Sequence, residues 1–337
     1  MNTLHVCPGT LAEGYQTFSP AALRHLFGGK KVAHTLPFVL DEVHQQQHNG
    51  ITNPIRISIS GVQEKYALRL EKNQLVWADQ NSTYILKPIH KGLDNADQVP
   101  ANEHLTMQIA RQLFKLDVAK CAIIFFNDGE PAYITKRFDV MPDNSRCLKE
   151  DFASLLQKTS EGGNSNFKYN GSYFDMAMAI DNLLPAPVIA KERLFNLIVF
   201  NYLFSNGDAH LKNYSVVDYE QNGLYQMAPA YDLLNTRLHI EDGDMALEEG
   251  LYAGDYTHPS FEKSGYYAYD DFYDFGIKIH LKEQRIQAFL ANFLDKSDQV
   301  LSLIKRSFLS EVMQQKYAAL YQDRLRRLRF SVSGLIK

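Results

Sequence analysis

Only three cysteines, Cys7, Cys121 and Cys147, occur in 337 residues, and no two form a CxxC pair. Such spacing argues against a disulfide framework and a structural zinc cluster and fits a reducing cytosol. Long apolar runs are also missing. The longest, around Leu194 to Phe204, is interrupted by Asn196 and Asn201 and is too short to span a bilayer. The opening Met-Asn-Thr-Leu-His-Val has neither the charged nor the apolar region of a secretion signal. A soluble cytoplasmic protein with no membrane partner is expected. Charge of one sign is scarce too: 35 Lys and Arg stand against 39 Asp and Glu, a net charge of −4. That balance argues against direct nucleic-acid binding as the main task. The locally basic run Arg324-Leu-Arg326-Arg327-Leu-Arg329 is expected to be a solvated face near a helix C-terminus. No internal repeat, Walker GxxxxGK[ST] or GxGxxG loop is present.

What is there is a chain long enough for two lobes. Tyr66, Leu68 and Leu70 alternate with Ala67 and Arg69, and Thr83–Lys87 is a second strand-like run. Leu105, Ile109, Leu113 and Leu116 then recur at helical spacing, with Asn102 as the expected cap. Cys121–Phe126 and Ala132–Phe138 form two strands joined by an Asn-Asp-Gly turn. After Asp139 the periodicity turns helical, with a Gly-, Asn- and Ser-rich loop at 160–172 and helices expected over 188–205 and 310–328. The aromatic and acidic segment Tyr252 to Phe275 suits either a recognition surface or core packing. The expected class is α+β and bilobal: an N-terminal segment 1–50, a β-rich lobe 51–140 and a helical lobe 141–337.

The most specific chemistry lies in Asp208-Ala-His210-Leu-Lys212-Asn213 and, further on, Tyr231-Asp232. Phosphoryl transfer from ATP needs one carboxylate to orient the attacking hydroxyl, with an amide and a second carboxylate to hold Mg²⁺. Asp208, Asn213 and Asp232 supply those groups at kinase-like spacing. Lys212 suits neutralisation of charge on the γ-phosphate, and His210 suits support of the loop. Lys87 ends an apolar strand from which it can reach phosphates, with Glu103 available as its ion-pair partner. Ser58-Ile-Ser60-Gly61-Val62-Gln63-Glu-Lys65 precedes the first strand pair. Glycine in such a turn lets backbone N–H groups approach phosphate, though taken alone these residues read more readily as an ordinary turn.

Together these motifs, with Ile85-Leu-Lys87-Pro, Asn102-Glu103 and Lys136-Arg-Phe138-Asp139, resemble the HipA family of Ser/Thr kinase toxins over about residues 50–330. The resemblance implies a bilobal protein-kinase-like fold with ATP and Mg²⁺ as cofactors. Asp208 is then the catalytic residue, Asn213 and Asp232 the metal ligands, and Lys87 the phosphate lysine. Lys136 and Phe138 fall at the adenine-reading hinge, and Asp139 near the ribose. Ser58 matches a serine that the family autophosphorylates to eject its loop. The Ser58-Ile-Ser60 pair is similar to HipT, the shortened toxin of three-part HipBST systems, in which both serines are modified. A first subdomain of about a hundred residues is missing relative to full HipA and resembles a separate HipS antitoxin. The implied partners are a HipS-like chain, a DNA-binding HipB-like protein and a protein substrate such as an aminoacyl-tRNA synthetase. Small-molecule and lipid kinases share parts of the Asp208 loop but lack the Ser-x-x-Gly-x-Gln element. A degenerate kinase that only sequesters a partner is the other alternative.

Overall fold

The computed structural model describes residues 4–40, 64–78, 80–89, 92–160 and 165–335. The Ser58, Ser60, Gly61, Val62 and Gln63 loop lies outside them.

Among the described residues, five antiparallel strands build the first lobe: β1 (Tyr66–Glu71), β2 (Gln74–Trp77), β3 (Tyr84–Lys87), β4 (Cys121–Phe125) and β5 (Pro131–Lys136). Their order is β2-β1-β3-β5-β4, so β3 is central and Lys87 ends a strand hydrogen-bonded on both sides. The sequence pattern omits β2. That strand is four residues long and only Leu75 within it is buried, too little for a visible alternation. It pairs with β1 through a tight turn in which Lys72 adopts φ +52°.

Helix α1 (Pro20–Phe27) covers one sheet face with Ala22, Leu26 and Phe27, which pack among Tyr66, Leu68, Leu86 and Ile134. Ser19 caps it by accepting from Ala22 N, and Gly28 ends it in the left-handed region at φ +62°. Helix α2 (Val99–Gln112) covers the other face and joins the second lobe's core.

Asn102 is not the cap of α2. The helix starts three residues earlier, with Pro100 in its first turn, and Asn102 is fully buried inside it. Its amide exchanges two hydrogen bonds with the backbone of Asn235, at 2.8 and 3.0 Å. A polar side chain that mimics a cap in sequence thus ties the two lobes. Leu113, the C-cap residue, and Leu116 lie beyond the last helical residue, and the chain turns between them through Lys115 at φ +56°.

The second lobe holds α3 (Phe152–Leu155), α4 (Tyr173–Leu183), α5 (Pro187–Leu203), α6 (Pro259–Ser264), α7 (Tyr269–Lys278), α8 (Glu283–Leu294), α9 (Ser297–Lys305) and α10 (Glu311–Leu328). A small antiparallel sheet of β6 (Leu148–Asp151), β7 (Ser215–Asp218) and β8 (Gln226–Met227) completes it. Helix α5 is the central element, burying Leu194, Phe195, Ile198 and Phe200. Tyr252, Tyr269, Phe272 and Phe275 are likewise buried, so these residues of the aromatic segment serve packing.

Arg324 departs from its expectation as part of a solvated face. It is 1% exposed, pairs with Asp244 at 2.6 Å and lies over the Tyr202 ring at 4.8 Å. Its neighbour Arg326 has a side chain that is 79% exposed, as a solvated face requires. Among the described residues no helix is long and apolar enough to cross a membrane.

Candidate active site

The site lies where the strand ends of the first lobe meet the loops that follow α5 and β8. Past α5 the chain reverses at Ser205, φ +53°, and runs through Asn206-Gly207. A Cβ on Gly207 would lie 2.4 Å from the Asp242 carboxyl carbon, so any other residue here requires that carboxylate to move aside. Asp208 then emerges with its side chain 44% exposed. A 3₁₀ turn over Leu211–Asn213 returns Asn213 to the same place, where its Nδ2 donates to the Asp208 carbonyl at 2.8 Å.

Asp232 arrives from the other side. Residues 117–119 exchange backbone hydrogen bonds with Ala230, at 2.8 Å each, which sets Tyr231-Asp232 against the sheet lobe. Asp232 itself adopts φ +57°, a sparsely populated conformation for a non-glycine residue. Its carboxylate pairs with Lys87 and also with Lys65, the latter at 3.4 Å. Lys87 in turn holds Glu103 at 2.7 Å, with both of those side chains under 5% exposed.

The electrostatics follow from this chain of ions. Burial alone would raise the Asp232 carboxyl, but the Lys65 and Lys87 ammonium groups outweigh it and hold it well below the usual range. Burial would favour a neutral Lys87, yet Asp232 and Glu103 keep its ammonium above the ordinary value. Glu103 is raised by burial, which Lys87 only partly offsets. Burial also raises Asp208. His210 falls to about 3 through burial and the positive charge of Lys168, so its imidazole is neutral.

Two adjoining cavities share Lys65, Lys87, His210, Asn213 and Asp232. The larger, about 280 Å³, adds Glu103, Lys168, Tyr169 and Asp208. The smaller, about 100 Å³, is lined by Ile85, Ala119, Lys136, Phe138, Asp139, Lys212 and Tyr231. Its aromatic wall is Phe138 and Tyr231, ring centroids 5.7 Å apart. Every described site residue singled out in the sequence therefore lines one cavity or both. Asp139 is already engaged, both carboxylate oxygens being held by Arg137, with Arg146 at 3.6 Å. Lys212 lies over the Phe167 ring at 5.7 Å.

Lys149, Asp151 and Tyr169 are among the lining residues that the sequence reading missed. Lys149 stands over the Tyr231 ring at 4.8 Å, its ammonium disfavoured by burial, and Asp151 lies two residues on. They belong to a strand of four polar or exposed positions with no motif around it. Tyr169 donates its hydroxyl to Asp208 Oδ1 at 2.6 Å from within the Gly- and Asn-rich loop, where composition hides it.

A strand lobe over a helical lobe, with carboxylates, an amide and lysines converging between them, is the build of a kinase. The chain belongs to the HipA-like C-terminal domain family, which matches residues 57–301. A Haemophilus influenzae protein named "Putative kinase" is 27% identical over 333 residues, 93% of each chain. The Shewanella oneidensis serine/threonine-protein kinase toxin HipA is 26% identical over 230 residues, 64% of this chain and 49% of that protein. The alignment thus spans about half the length of that toxin. Among solved structures, Shewanella oneidensis HipA in complex with HipB and operator DNA superposes with TM-score 0.64 at 21% identity, covering 87% of this chain and 71% of that one. The Helicobacter pylori proinflammatory kinase CtkA gives TM-score 0.50 at 16% identity, covering 81% and 94%. At those identities the structural likeness is one of fold.

Proposed function

We propose that the chain transfers the γ-phosphoryl group of ATP to a serine or threonine hydroxyl of a protein, as a toxin of the HipA or HipT type. The observation that carries this reading is the meeting of Asp208, Asn213, Asp232 and Lys87 around shared cavities. Asp208 orients the attacking hydroxyl. Lys87 and Lys65 hold the phosphates, with Lys212 beside the transferred group. The base sits against Ile85, Ala119, Phe138 and Tyr231, with Lys136 and Asp139 at its rim.

The donor set suits Mg²⁺. Asn213 commits its amide nitrogen to the Asp208 carbonyl, which leaves the oxygen, and Asp232 is a carboxylate kept ionised. Both are the hard oxygen ligands this cation takes. When bound, the ion neutralises charge on the phosphates. Lys87 and Lys65 exchange part of their hold on Asp232 for the phosphates.

Autophosphorylation on Ser58 and Ser60 fits the same reading, and phosphate there disfavours ATP by charge repulsion. A HipS-like antitoxin, a HipB-like DNA-binding partner, a cytoplasmic location and a translation component such as an aminoacyl-tRNA synthetase as substrate complete the proposal. Asp208→Asn should abolish ³²P transfer from γ-labelled ATP and growth inhibition together; transfer at the parent rate sinks the assignment. Mass spectrometry should find phosphate on Ser58 or Ser60 in the parent protein and neither in Asp208→Asn. A preparation phosphorylated at both serines that binds ATP as well as the Ser58→Ala, Ser60→Ala protein would refute the control scheme.

A further inference from the structure

The Asp208 carboxylate has a neighbour that the proposed reaction leaves without a task. The Tyr169 hydroxyl donates to its Oδ1 at 2.6 Å, the length of a hydrogen bond to an ionised oxygen. The other near polar group, His210 Nε2, stands 3.8 Å away, too far to hydrogen-bond.

Tyr169 is fixed to the helical lobe. Its carbonyl accepts from Glu248 N at 3.0 Å, and Glu249 N donates to the Gly171 carbonyl at 3.2 Å. Just beyond, Ser172 and Asp175 form a capping box that starts α4. The ring stands edge-on to His210, centroids 5.2 Å apart, with the Lys168 ammonium over it at 4.9 Å. Burial and the Asp208 carboxylate both raise the phenol, so it remains a donor.

A half-exposed aspartate turns freely about its last torsion unless one oxygen is tied. Tying Oδ1 to an anchored phenol sets the plane of the carboxylate and leaves Oδ2 for an incoming hydroxyl. We infer that Tyr169 is a positioning residue: it holds the Asp208 carboxylate in the orientation that receives the acceptor hydroxyl. This rests on the role given to Asp208 above.

The test uses the full chain and γ-³²P-ATP, following single-turnover loss of the γ-phosphate to the chain or to water. Tyr169→Phe should slow that step roughly 10- to 100-fold, as loss of alignment does, with ATP affinity unchanged. A 3-fluorotyrosine placed at position 169, which keeps both ring and donor, should restore the rate. The inference is overturned if Tyr169→Phe matches or exceeds the parent, since a faster variant marks a blocking tyrosine. It is equally overturned if fluorotyrosine fails to rescue, or if ATP affinity falls as far as the rate. Asp208→Asn run alongside separates the two claims. Parent-rate transfer there removes the role of Asp208 itself, whereas an inactive Asp208→Asn beside a fully active Tyr169→Phe removes only that of Tyr169.

Discussion

Lys87 lies between Glu103 and Asp232, and the three differ in what burial does to them. Glu103 has no exposure with which to dispose of a charge, so deleting its partner strands it. Lys87→Met should therefore destabilise the fold by about 3–5 kcal/mol, the cost of breaking one half of a buried pair. Replacing both, as Lys87→Met with Glu103→Leu, should return most of that stability while ATP binding stays lost. Chemical denaturation with isothermal titration separates the two effects, and recovery of nucleotide binding in the double variant would refute the phosphate role of Lys87. His104, the next residue, gives a pH signature. It is fully buried, and burial with the charge of Arg111 lowers it from 6.5 to about 3. The unfolded chain takes up its proton first as pH falls, so folded stability drops progressively below about 6.5 and the loss is complete only below about 3. At pH 5 the cost is about 2 kcal/mol. In His104→Leu the fall in melting temperature between pH 7 and pH 5 should shrink; an unchanged slope would remove His104 from the acid response.

At the scale of elements, helix contacts set limits that propensity does not reveal. Gly276 lies inside α7, where alanine ordinarily stabilises by about 1 kcal/mol. Here a Cβ would stand 2.8 Å from the Ile286 side chain of α8, a fully buried residue in a packed seam. Gly276→Ala should thus destabilise by about 1–3 kcal/mol through overpacking, and adding Ile286→Val should recover part of it by removing a methyl group. A rise in melting temperature for the single variant would show that the seam yields. The same contrast explains what could be read of these elements beforehand. Helix α5 was legible from its apolar run, which predicts a helix over 188–205 where Pro187–Leu203 is helical. Helix α2 was legible in body but not in its ends, because it is buried almost throughout and carries polar side chains spent on tertiary contacts. Asn102 looked like a cap and Arg324 like a solvated cation; each bonds to a group more than 75 residues distant in sequence.

At the scale of the whole molecule, the site is a seam between lobes, and its legibility follows from how local each part is. Asp208 and Asn213 lie close in sequence and are joined by one hydrogen bond, so their spacing alone is informative. Lys87 and Glu103 could be guessed as partners across a strand and the next helix. Lys149, Asp151 and Tyr169 reach the site only because distant segments fold against it, and nothing in their own neighbourhoods marks them. Beside the Asn102–Asn235 tie, Asp232 helps hold the seam by taking Lys87 and Lys65 from the sheet lobe onto a loop of the helical lobe. Were nucleotide and Mg²⁺ to bind as proposed, Lys87 and Lys65 would turn to the phosphates and Asp232 to the metal. At a hundredfold excess over the dissociation constant, such a ligand stabilises by about 2.7 kcal/mol. Asp232→Asn is the discriminating variant because asparagine tolerates the left-handed backbone that position 232 requires. It should keep the thermal shift produced by ATP alone and lose the increment that Mg²⁺ adds in the parent protein. An equal Mg²⁺-dependent increment in the variant would mean that Asp232 serves the lysines and not the metal, and the metal would then have to be sought at Asn213 and the phosphates.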